Sequence, residues 1–421
     1  MGNPFVTGTL ALMLAALAPL PARLAAQQPL LHVVATDARW LAAFTQALAL
    51  TPPPLAAGER YELRVADDGT PTLRTIAAPS TAGTPTPPLL TVELRAGAWL
   101  ARLGEPLVRT ERDWTNRAIG FAQLAGLPPR ATGGLVADLF TLARDVELVR
   151  ATVAAAAGER AADVHVELQP RAGSPFAGWL ANVRPATTPA PRWPWDDALA
   201  QLRIGIAADR LADVLAPFLP LAVALGEQSP EQLLQRAGWL DGRAALALRE
   251  HQLGLAVGLR DAAAFVAHAN DAARWQREAE ALAAHGVTTT TTSCAPYHDI
   301  SLLQTTTESR APLPWLADDD GVLVAFGGRV GPLWLQLGGH DARPAIECAI
   351  DDALAGRLQP NPTTTNTPST AWLQLELDLG RVRRLFDGSA EPARGGVHRI
   401  DLALSTTTAA APSLCVDLRL R

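Results

Sequence analysis

The sequence predicts an α+β fold of two lobes, built from repeated strand-into-helix and strand-strand-helix units, with mainly antiparallel sheets covered by helices on one face. The clearest unit is Ala371–Gly388, where four leucines alternate with polar residues, as on a strand with one buried face. Apolar residues then recur three and four apart, as on one face of a helix, and Gly388 stands where a helix commonly ends.

In the first half of the chain, strand-type alternation gives way to helical spacing at several places. The predicted elements are a strand at 31–35 with a helix capped by Thr36 or Asp37, a hairpin over Tyr61–Ile76, a strand at 90–94 with a short helix ending at Gly104, helices at Arg112–Ala125 and Leu135–Ala157, and a strand-into-helix unit over Val164–Val183. Asp68-Gly69 is a strong hairpin-turn signal. Ser174 before Pro175 predicts the start of a helix, because proline suits the first helical position.

The second half repeats the pattern and adds a variant in which two strands precede the helix. The predicted elements are a strand at 202–206 with a helix from Leu211, two strands over 244–257 with a long helix from Asp261 to Ala284, threonine-rich strands at Val287–Cys294 and Ile300–Thr307, two strands and a helix over Gly321–Leu354, and closing strands at Val397–Leu404 and Leu414–Leu420.

A proline-rich stretch, Arg184–Asp197, separates the two halves. Proline removes backbone donors and resists both helix and sheet, so this stretch predicts a linker. We therefore expect an N-terminal lobe over 28–185, a linker over 186–197 and a C-terminal lobe over 198–421. Trp193 and Trp195, within the linker, are expected to dock it onto a lobe.

Composition narrows the classes of function. The formal net charge is −6, which argues against a general nucleic-acid binder, since such a protein needs a basic surface to neutralise phosphates. All 36 basic residues are arginine, which excludes a Schiff-base lysine and a phosphate-loop lysine. No catalytic or cofactor motif of regular spacing occurs, so no cofactor and no metal site are predicted.

The N-terminus predicts export. An apolar run over Leu10–Leu20 is followed by small residues, and its length suits a secretory signal better than a membrane-spanning helix. We expect residues 1–26 to be a signal peptide and the protein to be periplasmic or extracellular. No transmembrane span is predicted apart from this segment. Three cysteines, at 294, 348 and 415, lack metal-site spacing; burial is expected for the last two, and the sequence leaves any disulfide open.

The stretch that is richest in reactive side chains is Ser293–Ser301. Cys294, His298 and Asp299 would supply a thiol nucleophile, a base and an orienting acid. Cys294, Tyr297, His298 and Asp299 all belong to one loop, and four such residues rarely align as a site, because a catalytic pair is assembled in space. The favoured interpretation is a polar connection between two threonine-rich strands, with a hydrolase-type site as the alternative.

The most apolar stretch after the signal is Leu211–Leu225, which is too short and too interrupted by proline to span a bilayer. A helix here would be apolar nearly all round, which suits a buried helix or the wall of an apolar cavity. The candidate ligand-binding residues are Leu211, Val214, Leu215 and Phe218. The sequence thus favours a non-enzymatic exported protein that binds an apolar small molecule or an envelope protein, with an enzyme and a scaffolding protein as alternatives.

Overall fold

The chain folds as a mixed α/β protein with a large antiparallel sheet, which confirms the α+β class at that level. The computed structural model describes residues 29–78, 88–124, 129–155, 162–219, 229–283, 286–309, 321–358, 371–387, 399–407 and 412–420. The predicted signal peptide, residues 1–26, lies outside these ranges. The division into lobes at a linker and the internal repeat stay predictions.

The helices and strands follow one another along the chain in this order: β1 (Leu31–Ala35), α1 (Ala38–Ala47), β2 (Glu59–Val65), β3 (Pro71–Ala77), β4 (Leu90–Leu94), α2 (Ala96–Leu124), α3 (Pro129–Asp145), β5 (Val146–Ala155), β6 (Ala162–Pro170), α4 (Pro175–Asn182), β7 (Ala200–Gly205), α5 (Leu211–Leu215) with a 3₁₀ turn (Ala216–Phe218), α6 (Pro230–Ala237), β8 (Leu240–Arg249), β9 (Gln252–Leu259), α7 (Ala262–Ala269), α8 (Ala272–Ala283), β10 (Val287–Tyr297), β11 (Ile300–Ser309), β12 (Val322–Val330), β13 (Leu333–Gly339), α9 (Ala342–Leu354), β14 (Ala371–Asp378), α10 (Leu379–Asp387), β15 (Arg399–Thr406) and β16 (Leu414–Leu420).

Contacts divide the chain into two compact units. The first comprises Met1–Ala181, Pro392–His398 and Thr406–Arg421; the second comprises Asn182–Glu391 and Arg399–Ser405. In the first unit the strands lie in the order β3-β2-β1-β4-β5-β6-β16, and the pairs that join them are antiparallel. Its main core lies where α1 covers β1, β2 and β4, around the fully buried Val33, Leu41 and Leu63.

The second unit has its own antiparallel sheet, in the order β10-β11-β12-β13-β9-β8-β7-β14-β15. Helix α9 packs against β12 and β13 and buries Ile346 and Ile350 there with Leu335 and Leu337. Trp193 joins this core and is only 1% exposed. A Cβ atom on Gly254 of β9 would lie 2.8 Å from the Trp193 ring, so the close approach of the two requires a glycine.

Two predicted helices differ from the structure. The predicted helix Leu135–Ala157 is wrong in its second half, where Val146–Ala155 forms strand β5. Pairing with β4 on one side and β6 on the other decides the conformation, and the β-branched valines of this stretch suit a strand. The long helix from Asp261 ends early, at Ala269, and α8 starts afresh at Ala272. Asp261 caps α7 as expected, by accepting a hydrogen bond from the backbone of Ala264.

The cysteines differ in their surroundings. Cys415 is buried, as expected for β16, but Cys348 lies exposed on α9, so the prediction of burial is wrong for it. All three cysteines are free thiols. Within the described ranges, no helix is both long and apolar enough to cross a membrane.

A buried carboxylate ties three strands of the first unit together. Glu62 of β2 has a side chain only 5% exposed, and it accepts hydrogen bonds from His32 of β1, from Arg64 and from Arg74 of β3. Burial alone would raise the pKa of Glu62, but the hydrogen bonds from Arg74, Arg64 and His32 outweigh it and lower the pKa from 4.5 to about 2. The folded state therefore favours ionised Glu62.

This cluster predicts a pH dependence. Because the pKa of Glu62 is lower in the folded state, its stabilisation is fully present above about 4.5 and is lost as the pH falls to about 2. We expect Glu62→Gln to lower the free energy of unfolding by about 1–3 kcal/mol at pH 7, and to flatten its decline over that acid range. Urea denaturation at a series of pH values measures both effects.

The matched control is Glu105→Gln, which removes an exposed ion pair with Arg109 on α2. We expect this variant to stay within about 0.5 kcal/mol of the wild type, because exposed pairs contribute little. Equal losses in the two variants, or an unchanged acid profile in Glu62→Gln, would contradict the assignment.

Candidate functional site

Two of the three predicted catalytic residues form a tight turn. Tyr297 of β10 pairs with Ile300 of β11, so His298 and Asp299 are the two residues of the hairpin connection. Both have positive φ, 48° and 61°, as a type I′ turn requires at both central positions. These residues therefore shape the connection between the threonine-rich strands, which is the interpretation that the sequence favoured.

The structure gives His298 and Cys294 different partners. His298 Nε2 lies 3.1 Å from Asp351 Oδ1 on α9, and the Tyr297 hydroxyl donates to the other oxygen of the same carboxylate at 3.0 Å. Cys294 Sγ lies 3.4 Å from Gln304 Oε1. Cys294 and His298 therefore contact different side chains, Gln304 and Asp351.

The contact with Asp351 makes the Tyr297 hydroxyl harder to deprotonate. The hydrogen bond to the Asp351 carboxylate, with its negative charge, raises the pKa of Tyr297, so the phenol stays protonated and donates. The His298 side chain is 55% exposed and that of Asp351 is 44% exposed. Both side chains are thus largely open to solvent, whereas catalytic groups with shifted pKa values cluster in enclosed, polarising sites.

The predicted apolar segment folds as α5 and the 3₁₀ turn, and its four candidate residues separate into two pairs. Leu211 and Val214 are buried, and Leu215 and Phe218 lie on the wall of a pocket of about 400 Å³. Phe218 is 41% exposed. The predicted segment continues to Leu225, and its part beyond Leu219 lies outside the described residues.

The other walls come from later elements of the second unit. Leu233 and Leu234 come from α6, Trp239 and Leu240 stand at the start of β8, and Phe265 comes from α7. These apolar side chains are half-buried rather than enclosed, so the pocket is open to solvent. We call this pocket, from Leu215 to Arg274, the apolar groove.

Two arginines and a histidine lie together on one side of the apolar groove. Arg236 of α6, His268 of α7 and Arg274 of α8 line it together. Arg274 is held in place because its Nε and Nη2 donate to Glu278, at 2.7 and 3.0 Å, while Nη1 donates to the backbone oxygen of His268 at 3.0 Å. The His268 ring lies against Trp239, with 5.2 Å between ring centroids.

The pKa values of His268 and Arg236 depend on burial and on the charges around them. Burial, followed by the charges of Arg274 and Arg236, lowers the pKa of His268 to about 4, against the smaller opposing effects of Glu278 and Asp271. Burial and Arg274 also lower the pKa of Arg236. His268 is therefore neutral at pH 7, beside two guanidinium groups.

A second, polar cavity of about 110 Å³ lies beside β7 and β14. Its floor is a charge cluster in which Glu376 accepts hydrogen bonds from Arg203 at 3.0 Å, Arg399 at 2.9 Å and Arg192 at 3.3 Å. The Arg203 side chain is only 6% exposed, and burial lowers its pKa despite the nearby Glu376. We interpret this cluster as structural, because the Glu376 carboxylate joins arginines from three segments of the chain.

The residues that sequence reasoning missed are those that come from other segments. Trp239, Phe265, Arg236 and Arg274 are separated from Phe218 in the chain and meet it only in the folded structure. A single sequence shows that each lies in or beside a periodic segment, and it does not show which segments meet. Leu215 and Phe218 could be predicted because both belong to one apolar stretch of the sequence.

Comparison with known proteins adds little. No protein-family model matches the chain, and no curated protein matches it. Two solved structures, crystal forms III and I of TP0453, are similar to it over 53% of its length, with TM-scores of 0.26 and 0.24 and identities of 11% and 12%. They are covered over 90% and 88% of their own chains. A likeness at this level carries no argument about function.

The hairpin assignment predicts opposite effects for two substitutions at one position. Asp299→Gly removes the side chain from a residue at φ 61°, and we expect the free energy of unfolding to stay level or to rise by up to about 1 kcal/mol. Asp299→Val places a β-branched residue at the same φ, and we expect a loss of about 1–2 kcal/mol. Thermal and urea denaturation distinguish the two, and a similar loss in both variants would argue against a turn role.

Proposed function

We propose that this is an exported, non-enzymatic protein of the envelope or periplasm, made of two lobes, that binds a small molecule with an apolar chain in the apolar groove. The observation that carries the proposal is the groove itself. Its volume of about 400 Å³ lies within the range of roughly 300–1,000 Å³ that is usual for small-molecule sites. Export is proposed on the apolar run of residues 10–20.

The lining favours an apolar occupant. Leucine, phenylalanine and tryptophan side chains form most of the wall, and they remain half-buried or exposed in the folded chain. Covering apolar area contributes about 25 cal/mol per Å² removed from water. A chain laid along Phe218, Leu234 and Phe265 would therefore gain stability from each of them, because folding leaves part of their surface open.

The shape of the lining also favours an amphiphile over a purely apolar molecule. The groove is apolar along most of its wall, but Arg236, His268 and Arg274 stand together on one side of it. A molecule with an apolar chain and one polar end would cover the first part and leave the arginines hydrogen-bonded. Ligand sites commonly combine an apolar wall with a few polar groups in this way.

The enzyme alternative has weaker support. Cys294 and His298 were its candidate nucleophile and base, and each has a separate partner, Gln304 and Asp351. His298 and Asp299 lie at an exposed hairpin end and Cys294 lies half-buried within β10, whereas catalytic groups converge in a concave site. The apolar groove and this hairpin are built from different elements of the second unit.

The proposal predicts that the purified protein enhances and blue-shifts the fluorescence of N-phenyl-1-naphthylamine, an uncharged probe of apolar sites. Phe218→Ser should weaken probe binding about tenfold, since about 1.5 kcal/mol of apolar burial is lost. Phe218 is exposed, so this change leaves the core intact. Fluorescence titration measures the dissociation constant.

Leu354→Ser is the matched control, because Leu354 is also an exposed apolar helix residue of the second unit and lies outside the groove. We expect it to bind the probe as the wild type does. An absent fluorescence change in the wild type, or an equal weakening in both variants, would rule out the groove as the binding site.

A further inference from the structure

We propose that a second copy of this chain packs against one apolar face of the sheet in the second unit, so that the protein forms a symmetric dimer. The face consists of the first, third and fifth residues of the stretches 200–204, 244–248, 253–257, 373–377 and 400–404, and we call it the leucine face. Ten of its fifteen side chains are leucine, and the others are alanine, isoleucine and valine. None of the fifteen lines the apolar groove, so this inference goes beyond the proposed function and does not depend on it.

The register of the strands brings these side chains to one face. In an antiparallel pair, residues directly opposite each other point to the same side of the sheet. The middle row of the leucine face runs across β9, β8, β7, β14 and β15 as Leu255, Leu246, Leu202, Leu375 and Leu402. The rows on either side of it, two residues away along each strand, follow the same pairings. Fifteen apolar side chains therefore form one continuous patch that contains no charged or polar side chain.

The leucine face is open to solvent, whereas the other face of the same strands is buried. All fifteen residues are half-buried or exposed, and Leu246 is 38% exposed. The residues that alternate with them include Gln201, Ala245 and Ala256, which are at most 4% exposed. Ala245 and Ala256 belong to the core that also contains Trp193. The sheet therefore buries the face that carries polar groups and leaves its leucines partly in water.

Among the described helices, those that pack closely on this sheet do not lie on the leucine face. Helix α9 packs on β12 and β13, and α8 packs on β10. Trp334 of β13 stands opposite Val257, at the border of the leucine face. Phe265 of α7 packs on Trp334 there, with 5.3 Å between ring centroids, and Trp334 is only 9% exposed. Val257 is half-buried one strand further on, so the helical cover of the described chain ends at this border.

The size of the leucine face suits a contact between two proteins. Five strands about 4.8 Å apart and three rows about 7 Å apart give a footprint of roughly 500 Å² on each copy. Single apolar side chains are common on protein surfaces, but a continuous apolar patch of this size often marks an interaction site. Two such faces together would remove roughly 1,000 Å² from water, which is the size that a specific interface needs.

The chemistry of the face favours a second copy over a bilayer. The charged groups of these strands lie on the opposite face, where Arg203 and Arg399 pair with Glu376. The leucine face therefore carries no cation, tryptophan or tyrosine, which surfaces that bind anionic lipid commonly have. Two copies of an uncharged face bring no like charges together. Two sheets can pack face to face about 10 Å apart with interdigitating side chains, and a two-fold axis makes both copies bury the same residues.

The experiment determines the mass of the purified protein in detergent-free buffer by sedimentation equilibrium over a range of concentrations. We expect the wild type to reach twice the mass of one chain at micromolar concentration. Leu246→Glu should sediment as a monomer, because the dimer would bury an unpaired carboxylate in each copy. Leu246→Ser adds no charge and should weaken the dimer about hundredfold, since about tenfold is lost in each copy.

Leu282→Glu is the matched control, because Leu282 is 39% exposed on α8 and lies outside the leucine face. We expect its dimer to dissociate as the wild type does. Far-UV circular dichroism checks that each variant is folded. If Leu246→Glu loses the native spectrum, Leu246→Ser provides the comparison.

Three results would overturn the proposal. The first is a wild type that stays monomeric at every concentration. The second is a dimer that neither substitution of Leu246 weakens, and the third is an equal weakening by Leu282→Glu. Vesicles of phosphatidylcholine and of phosphatidylglycerol test the bilayer: a monomer that sediments with them, and no longer does so as Leu246→Glu, would assign the leucine face to a lipid surface instead.

Discussion

The second unit depends on one carboxylate that holds three arginines. Glu376 of β14 accepts hydrogen bonds from Arg203 of the neighbouring strand β7, from Arg399 of β15 and from Arg192, which precedes β7. An unpaired guanidinium buried as deeply as that of Arg203 would cost several kcal/mol, so the strands are held in the register that brings Glu376 to it. Gln201, on the same face of β7, donates to the backbone oxygens of Trp193 and Trp195 and attaches the predicted linker there.

That register has consequences for the groove. Strand β7 leads directly towards α5, and the backbone nitrogen of Ile206 donates to Gly242 of β8 just before the helix begins. A Cβ atom on Gly242 would lie 1.9 Å from the backbone oxygen of Ile206, so only glycine permits this approach. The position of Leu215 and Phe218 over the start of β8, where Trp239 and Leu240 lie, follows from the placement of β7 against β8.

The two candidate sites differ in how many reactive side chains they contain. Cys294, His298 and Asp299 attract attention because their side chains are reactive, yet the positive φ of the last two marks them as turn residues. The apolar groove has few reactive groups. The charged side chains on its wall are Arg236 and Arg274. Its pKa pattern, with a neutral His268 beside two guanidinium groups, arises from burial and from charges on α6, on α8 and on Asp271 just before α8.

Local pattern determined much of the secondary structure. The alternation in 371–377, the turn at Asp68-Gly69 and the cap at Asp261 were readable because each depends on residues within one or two turns of chain. The sequence also showed that Leu215 and Phe218 belong to an unusually apolar segment. The sequence alone determines the local structure that residues close together in the chain impose on one another.

Only the tertiary structure decided the rest. Residues 146–155 form a strand because they pair with β4 on one side and β6 on the other, although their apolar spacing also suits a helix. Arg236, Phe265 and Arg274 join Phe218 in one groove because α6, α7 and α8 pack beside it. Contacts of this kind form between segments far apart in the chain, and the pattern of a single sequence does not record which segments meet.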